Sequence, residues 1–248
     1  MSLLLAPHPH TSTATLLTHA ARHRGIEVVA STQGHQERDL HWYGGPLMAD
    51  RILRPRGLHV GLLEPPDDWL TTLDPELTHR RIELTTLDHA RRLDGPLFVK
   101  PPSDKSVPAA VYAGGRDLPL SGERIGPLTP VLVSDVVEFA AEYRLFVLDG
   151  HVLTGSRYAV FGRLDPAPLT PDAERFGQDV LDACALTLPS PVVVDIGQLV
   201  GGRWAVVEAN MAWFAQSYAA DPDRVLDVVL RASGPRRLVS ARDAPFLR

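Results

Sequence analysis

The chain has 248 residues, 44% hydrophobic and 22% charged, which is enough for a sizeable core in one large domain or two to three small ones. Its formal net charge of -5 lacks the basic footprint of a general nucleic-acid binder, and its single cysteine, Cys184, excludes a disulfide framework or a cysteine zinc site within the chain. The opening MSLLLAPHPH holds too short an apolar run for a signal peptide or a membrane span, so no membrane partner and a cytosolic location are expected.

Ser2 to Ala6 reads as a strand, Thr13 to His23 as a helix stopped by Gly25, and Glu27 to Ala30 as a second strand. This is the start of a parallel α/β unit. His19 and His23 have an i, i+4 spacing that can bind zinc, but no third ligand is near them and a solvated helix face is expected. Trp42 to Pro46 reads as a loop whose aromatic residues pack the N-terminal unit. Gly57 to Leu63 reads as a strand and Asp67 to Leu73 as a helix, with a domain boundary near residue 80.

Leu84 to Leu93 has the pattern of a short amphipathic helix, capped by Thr85 or Thr86 with Asp88 in its first turn. Leu97 to Lys100 reads as a buried strand halted by Pro101 and Pro102. A loop with Ser103, Asp104 and Lys105 leads to a strand near Ala109 to Ala113, and Val131 to Val137 is a further strand. Cys184 lies in an apolar, helical stretch and reads as a small core residue. The tail arginines Arg231, Arg236, Arg237, Arg242 and Arg248 read as solvated.

Two hairpins carry the chemistry. In the first, Asp149-Gly150 is a two-residue turn signal. Counting outward pairs Phe146 with Leu153, Arg144 with Gly155 and Glu142 with Arg157, so that Glu142, Arg144 and Arg157 share one face and Gly155 leaves room beside Arg144. A plain Glu142–Arg157 ion pair is the alternative reading. In the second, Gly201-Gly202 as a two-residue turn brings Asp195 opposite Glu208, with Asn210 on the same face. Like charges placed directly opposite destabilise a sheet, and burial makes them costlier. A divalent cation, a protonated dyad, or a lysine or arginine reaching in from elsewhere could each relieve the pair. The two carboxylates and the amide oxygen are the hard ligands that Mg²⁺ prefers.

Phe98-Val99-Lys100-Pro101, the segment Val133 to Glu138, Glu142 to Val147, Asp195, and Val206-Val207-Glu208-Ala209-Asn210 follow in an order that resembles the ATP-grasp superfamily, in particular its small bacterial subfamily of largely unknown function. The resemblance spans about residues 83 to 230. It implies an α+β fold in which two lobes enclose ATP, preceded by a small α/β domain. The expected divisions are 1–80 for that domain, 81–133 for the smaller lobe and 134–248 for the larger lobe with the metal site.

By resemblance, Lys100 contacts the phosphates, as does Lys105 from the covering loop. Asp135, Val136 and Val137 read adenine through their backbone, Glu138 reaches the ribose, and Glu142 belongs to the nucleotide site. Arg144 faces the transferred phosphoryl group with Arg157 as a second cation, and Asp195, Glu208 and Asn210 hold Mg²⁺. The loop Pro101 to Ser106 departs from the family in having no glycine. The implied activity is a Mg-ATP-dependent carboxylate–amine or carboxylate–thiol ligase acting on a small molecule or peptide. A kinase using the same site and a non-catalytic nucleotide-binding module are the alternatives. Oligomeric state is not legible.

Overall fold

The computed structural model describes residues 2–7, 11–31, 39–102, 107–120, 125–184 and 186–248. Three sheets succeed one another along the chain. The first is parallel, in the order β2-β1-β3, from β1 (Ser2–Leu5), β2 (Glu27–Val29) and β3 (Asp39–Trp42). Between β1 and β2 runs helix α1 (Ser12–His23), whose N-terminus is capped by the Thr11 hydroxyl and whose Leu17, Ala20 and Ala21 are buried. Strand β3 occupies the approach to what the sequence presents as a loop, and the fully buried Trp42 ends it. Helix α2 (Pro46–Ile52) follows.

Gly57 to Leu63 is not a strand. It is extended chain with two isolated bridges, Val60 to Pro235 and Leu63 to Leu247. Its neighbour is the irregular C-terminal tail, and proline has no N–H with which to continue a ladder. Asp67 to Leu73 holds only a 3-10 turn at Trp69–Thr72, followed by the one-turn helix α3 (Pro75–Thr78).

The second sheet is antiparallel, β4-β7-β5-β6, from β4 (Ile82–Thr86), β5 (Leu97–Lys100), β6 (Ala110–Tyr112) and β7 (Pro130–Ser134). Here the helix expected from Leu84 to Leu93 is cut short. Residues 82–86 pair with β7 along their whole length, and only α4 (Leu87–Ala90) is helical, with Thr86 as its cap. Ladder hydrogen bonds and the β-branched pair Thr85-Thr86 outweigh the amphipathic pattern. Strand β7 likewise stops at Ser134, three residues before the expected end, which leaves 135–138 as the connection to the third sheet.

The third sheet has the order β10-β9-β8-β11-β12, from β8 (Phe139–Leu148), β9 (His151–Val160), β10 (Arg163–Pro168), β11 (Pro191–Leu199) and β12 (Trp204–Asn210). Asp149 (φ 52) and Gly150 (φ 84) both take positive φ at the β8–β9 turn, as a type I′ turn requires. Helix α5 (Pro171–Cys184) covers one face, where Tyr143, Leu145, Val147, Val192, Val194, Ile196 and Val206 point. Cys184 is part of that core, as its sequence context implies.

The alternate residues of the same strands serve two purposes. Phe146 and Val193 join a second core with α6 (Pro222–Ala232) and the N-terminal unit, while Arg144, Asp195 and Glu142, further along, carry charge. That second core includes Leu3, Leu4, Leu5, Leu17, Trp42, Trp213 and Val229, so the first sheet shares its interior with the end of the chain. The smallest core lies under the second sheet. Several tail arginines are tied down rather than free: Arg237 pairs with Asp39, and Arg248 with Asp50 and Glu64. His19 and His23 lie on an exposed face of α1 with their rings 4.5 Å apart. Among the described residues, no helix is long and apolar enough to cross a membrane.

Candidate active site

Strand β11 is flanked by β8 and β12, and this position assembles the site. In register, Asp195 faces Arg144 on one side and Glu208 on the other, while Val193 faces Asn210. Side chains directly opposite, or two residues apart, share a face, so Glu142, Arg144, Asp195, Glu208 and Asn210 project together. Glu142 lies opposite Gly197, where a Cβ would sit 2.9 Å from the Ala141 carbonyl and 2.4 Å from the Phe139 ring. Only glycine fits that crossing.

The expected Asp195–Glu208 pairing is present, but it is reached differently. The β11–β12 turn is one residue longer than expected. The Leu199 N–H donates to the Arg203 carbonyl (2.8 Å), and Gln198, not Leu199, lies opposite Trp204. A bulge at Val207 then restores the count, since Ile196 faces Val206 and Asp195 faces Glu208. The buried guanidinium of Arg80 serves the bulge by donating to the Val206 carbonyl (2.8 Å) and the Val207 carbonyl (3.1 Å). Burial lowers its pKa to about 10.

The first hairpin departs from its expected register. A bulge at Leu153 sets Phe146 opposite Thr154 and Arg144 opposite Ser156, and a second at Tyr158 sets Glu142 opposite Ala159. Arg157 therefore faces Tyr143, turns to the other side of the sheet, and pairs with Asp165 (2.8 Å). It does not join the other charges. Gly155 faces Leu145 rather than Arg144, and a Cβ there would clash with the Arg144 carbonyl. In place of Arg157, the bulge residue Tyr158 enters the site and donates its hydroxyl to Glu142 (2.8 Å).

Two buried cation–carboxylate pairs result. Arg144 holds Asp195 in a fork, with Nε to Oδ1 at 2.8 Å and Nη2 to Oδ2 at 2.6 Å. Their side chains are 13% and 1% exposed. From the second sheet, the Lys100 ammonium meets Glu208. Asn210 joins the pairs by donating Nδ2 to Asp195 (3.2 Å) and to Glu208 (2.7 Å). Burial pushes the Asp195 carboxyl up to about 6 against the pull of Arg144, while that carboxylate holds Arg144 above its ordinary value despite burial. Burial also works against the charge on Glu208, but Lys100 and Asn210 outweigh it and hold this carboxyl below its usual range. Glu142 is raised, mainly by burial and also by Glu208.

The donor set can be weighed for Mg²⁺. Among the described residues no three His, Cys, Asp or Glu side chains converge on a metal position. The set here has two acids and one amide, within hydrogen-bond reach of one another. These are hard oxygen donors, and turning the Asn210 amide would bring its oxygen in. The chemistry fits a cation that takes its remaining oxygens from phosphate and water.

The remaining expected residues lie around this centre. Asp135 is engaged by Arg81, whose guanidinium donates to both carboxylate oxygens (2.9 and 3.1 Å) and holds the carboxyl below its ordinary value. The Asp135 N–H bonds the Arg81 carbonyl, and the Glu138 carbonyl accepts from Val200. Val136 and Val137 enter no hydrogen bond among the described residues, and Val136 and Glu138 are exposed. Lys105 lies outside the described residues.

Three residues gain a place that sequence alone does not assign. Tyr158 enters through a bulge that leaves no sequence signal. Arg80 sits in a segment with no motif. Tyr218 lies beyond β12, outside the hairpins that carry the charge pattern; it stacks on Tyr158 with ring centroids 5.4 Å apart, and the Arg144 guanidinium carbon lies 5.5 Å from each ring centroid.

Residues 77–228 match a family described as an ATP-grasp domain, the second family of its clade. The chain belongs to this ATP-grasp family. It is accordingly an ATP-dependent enzyme. Among solved structures it resembles the D-cycloserine synthetase DcsG (TM-score 0.61, 13% identity, 92% of this chain and 97% of that one). It also resembles the ATP-grasp ligase PsnB complexed with a minimal precursor (TM-score 0.52, 16% identity, 93% and 99%). A RimK domain ATP-grasp protein from Sphaerobacter thermophilus is similar too (TM-score 0.51, 17% identity, 92% and 99%). At such identities these likenesses concern the fold. No curated protein matches the sequence.

Proposed function

We propose that the chain activates a substrate carboxylate with Mg-ATP and joins it to an amine or thiol, at the face built from Lys100, Arg144, Asp195, Glu208 and Asn210. One observation carries this reading: two cation–carboxylate pairs, largely withdrawn from water, meet where Lys100 of the second sheet reaches the charged face of the third, and a single amide joins them. Burying four ionic groups costs stability that a hydrophobic set would not, which favours a functional reason for them. The proposed division of the chain is 1–80, 81–133 and 134–248, with the nucleotide between the last two parts.

In this reading Asp195, Glu208 and Asn210 bind the metal. Mg²⁺ would supply neutralisation of phosphate charge and a template for the leaving oxygen. Lys100 and Arg144 bind the triphosphate oxygens; the Nη1 of Arg144, which donates to no partner among the described residues, is the nitrogen left for them. Positioned cations, rather than a covalent nucleophile, are what phosphoryl transfer asks of a protein. The free backbone groups of Val136 and Val137 suit the adenine edge, with Glu138 near the ribose. Glu142 is held by Tyr158 on the same face and orients the arginine side of the site. Arg157, paired on the opposite side with Asp165, has no part in it.

The acyl acceptor is a small molecule or a peptide. PsnB has been seen with a precursor peptide, and a peptide is the class to try first. The test is Glu208→Gln. Mg-dependent ADP formation from ATP is expected to fall by about a hundredfold or more, as when a group stabilising transferred charge is removed, with the fold intact by circular dichroism. An unchanged rate would remove Glu208 from the mechanism.

A further inference from the structure

The Asp195 fork ties two nitrogens of the rigid, planar Arg144 guanidinium, and the tilt of that plane about the fork is left for other contacts to fix. Two rings do this. Tyr158 and Tyr218 lie nearly parallel, with 19° between their planes, and both face the Arg144 guanidinium carbon at 5.5 Å. Tyr158 is held by its hydroxyl on Glu142. Tyr218 is held by its backbone, which adopts φ 51, a left-handed conformation that costs a non-glycine residue energy and persists only where the surroundings impose it.

Those surroundings are specific. On one side of Tyr218, the Ala219 N–H donates to the fully buried Ser156 hydroxyl (3.1 Å) and the Asp221 N–H to the Thr154 hydroxyl (3.1 Å). On the other, the Ser217 N–H donates to the buried Thr13 hydroxyl at the start of α1 (2.9 Å), and the Tyr43 hydroxyl donates to the Ala215 carbonyl (2.9 Å). The segment 215–221 is thus pinned both to β9 and to the N-terminal unit, with the Tyr218 ring directed at the arginine.

We infer that Tyr218 is a positioning residue: with Tyr158 it holds the outer edge of Arg144 toward the transferable phosphoryl group, and the N-terminal unit takes part in the site by fixing Tyr218. This rests on the reading above that Arg144 faces that group. A cation–π contact out of water needs a ring face, which phenylalanine supplies and leucine does not.

The experiment measures Mg-AMPPNP and Mg-ADP affinities by calorimetry for the wild type and for Tyr218→Leu, Tyr218→Phe and Arg144→Lys, with thermal midpoints alongside. Neither ligand requires an acceptor or turnover. In the wild type, Mg-AMPPNP is expected to bind more tightly than Mg-ADP. Tyr218→Leu is expected to weaken Mg-AMPPNP roughly tenfold while leaving Mg-ADP within about twofold, and Tyr218→Phe to restore most of the loss. Arg144→Lys is expected to lose the same preference.

If Tyr218→Leu keeps the preference while Arg144→Lys loses it, the positioning role is overturned and the role of Arg144 stands. An equal loss for both nucleotides in Tyr218→Leu, with a lowered midpoint, reduces Tyr218 to a packing residue and also overturns the inference. A wild type without preference, or an Arg144→Lys variant that keeps it, contradicts the role of Arg144 itself.

Discussion

Asp195 and Glu208 are close neighbours with different dependence on their partners. Asp195 is 1% exposed, and Arg144 meets it with two hydrogen bonds; the Glu208 side chain is 27% exposed and has the flexible Lys100 beside it. Removing one partner of a buried ion pair costs about 3–5 kcal/mol, because the other charge is left without compensation. Asp195→Asn is therefore expected to lower the unfolding free energy by about that amount, and Glu208→Gln by distinctly less. Chemical denaturation of both variants tests this, and an equal loss would contradict the account of their burial. The acids, the amide and Arg144 stood out in the sequence as polar groups inside apolar strands whose periodicity gives their face, whereas Lys100 was named only through the family resemblance. Arg157 was misplaced by that same periodicity, since one unseen extra residue reverses a face.

Bulges are where the hairpins departed from expectation. Those at Leu153 and Tyr158 removed Arg157 from the site and brought Tyr158 in, while the bulge at Val207 cancelled an error in turn length and preserved Asp195 opposite Glu208. A correct pairing was thus reached by two compensating deviations. A bulge is selected by long-range partners such as Arg80, which lies 126 residues from one of the carbonyls it serves, so local pattern carries no trace of it. Arg80→Ala leaves the Val206 and Val207 carbonyls without that donor, and the expected loss of stability is about 3 kcal/mol. A weaker Mg²⁺ dependence of nucleotide binding is expected with it, because Glu208 follows the bulge directly. Normal metal dependence in a destabilised variant would separate the bulge from the site. The β4 strand failed to be legible for a related reason: its partner, β7, lies more than 40 residues on, while the amphipathic pattern that suggested a helix is local.

At the scale of the whole molecule, the two ends of the chain are joined by one shared interior. Val225, Leu226, Val228, Val229 and Ala232 of α6 are fully buried in the same core as β1, α1 and Trp42. Burying each larger apolar side chain is worth about 1.5–3 kcal/mol, so this joint is comparable to the whole stability of a typical domain. The opening α/β unit was legible from its strand–helix–strand pattern. Its partner was not, since the contact joins the two ends of the chain. His41 lies on this seam and bonds the Leu230 carbonyl through Nδ1 (2.8 Å). Burial lowers its pKa from the ordinary 6.5, against the pull of that carbonyl and Asp39. The folded protein therefore keeps this imidazole neutral while the unfolded chain takes up a proton below 6.5. Its contribution is present above that pH and is lost as the pH falls through it toward the folded value. Unfolding free energy is expected to drop between about pH 7.5 and pH 5.5, and to drop less in His41→Gln. An identical slope in the variant would exclude His41 as the source.

The most direct measurement is a crystal structure with Mg-AMPPNP. The expected result has Mg²⁺ at about 2.1 Å from oxygens of Asp195, Glu208 and Asn210, with Lys100 and Arg144 on the phosphates. Mg²⁺ held by other residues, with the Arg144–Asp195 fork turned away from the nucleotide, would contradict it.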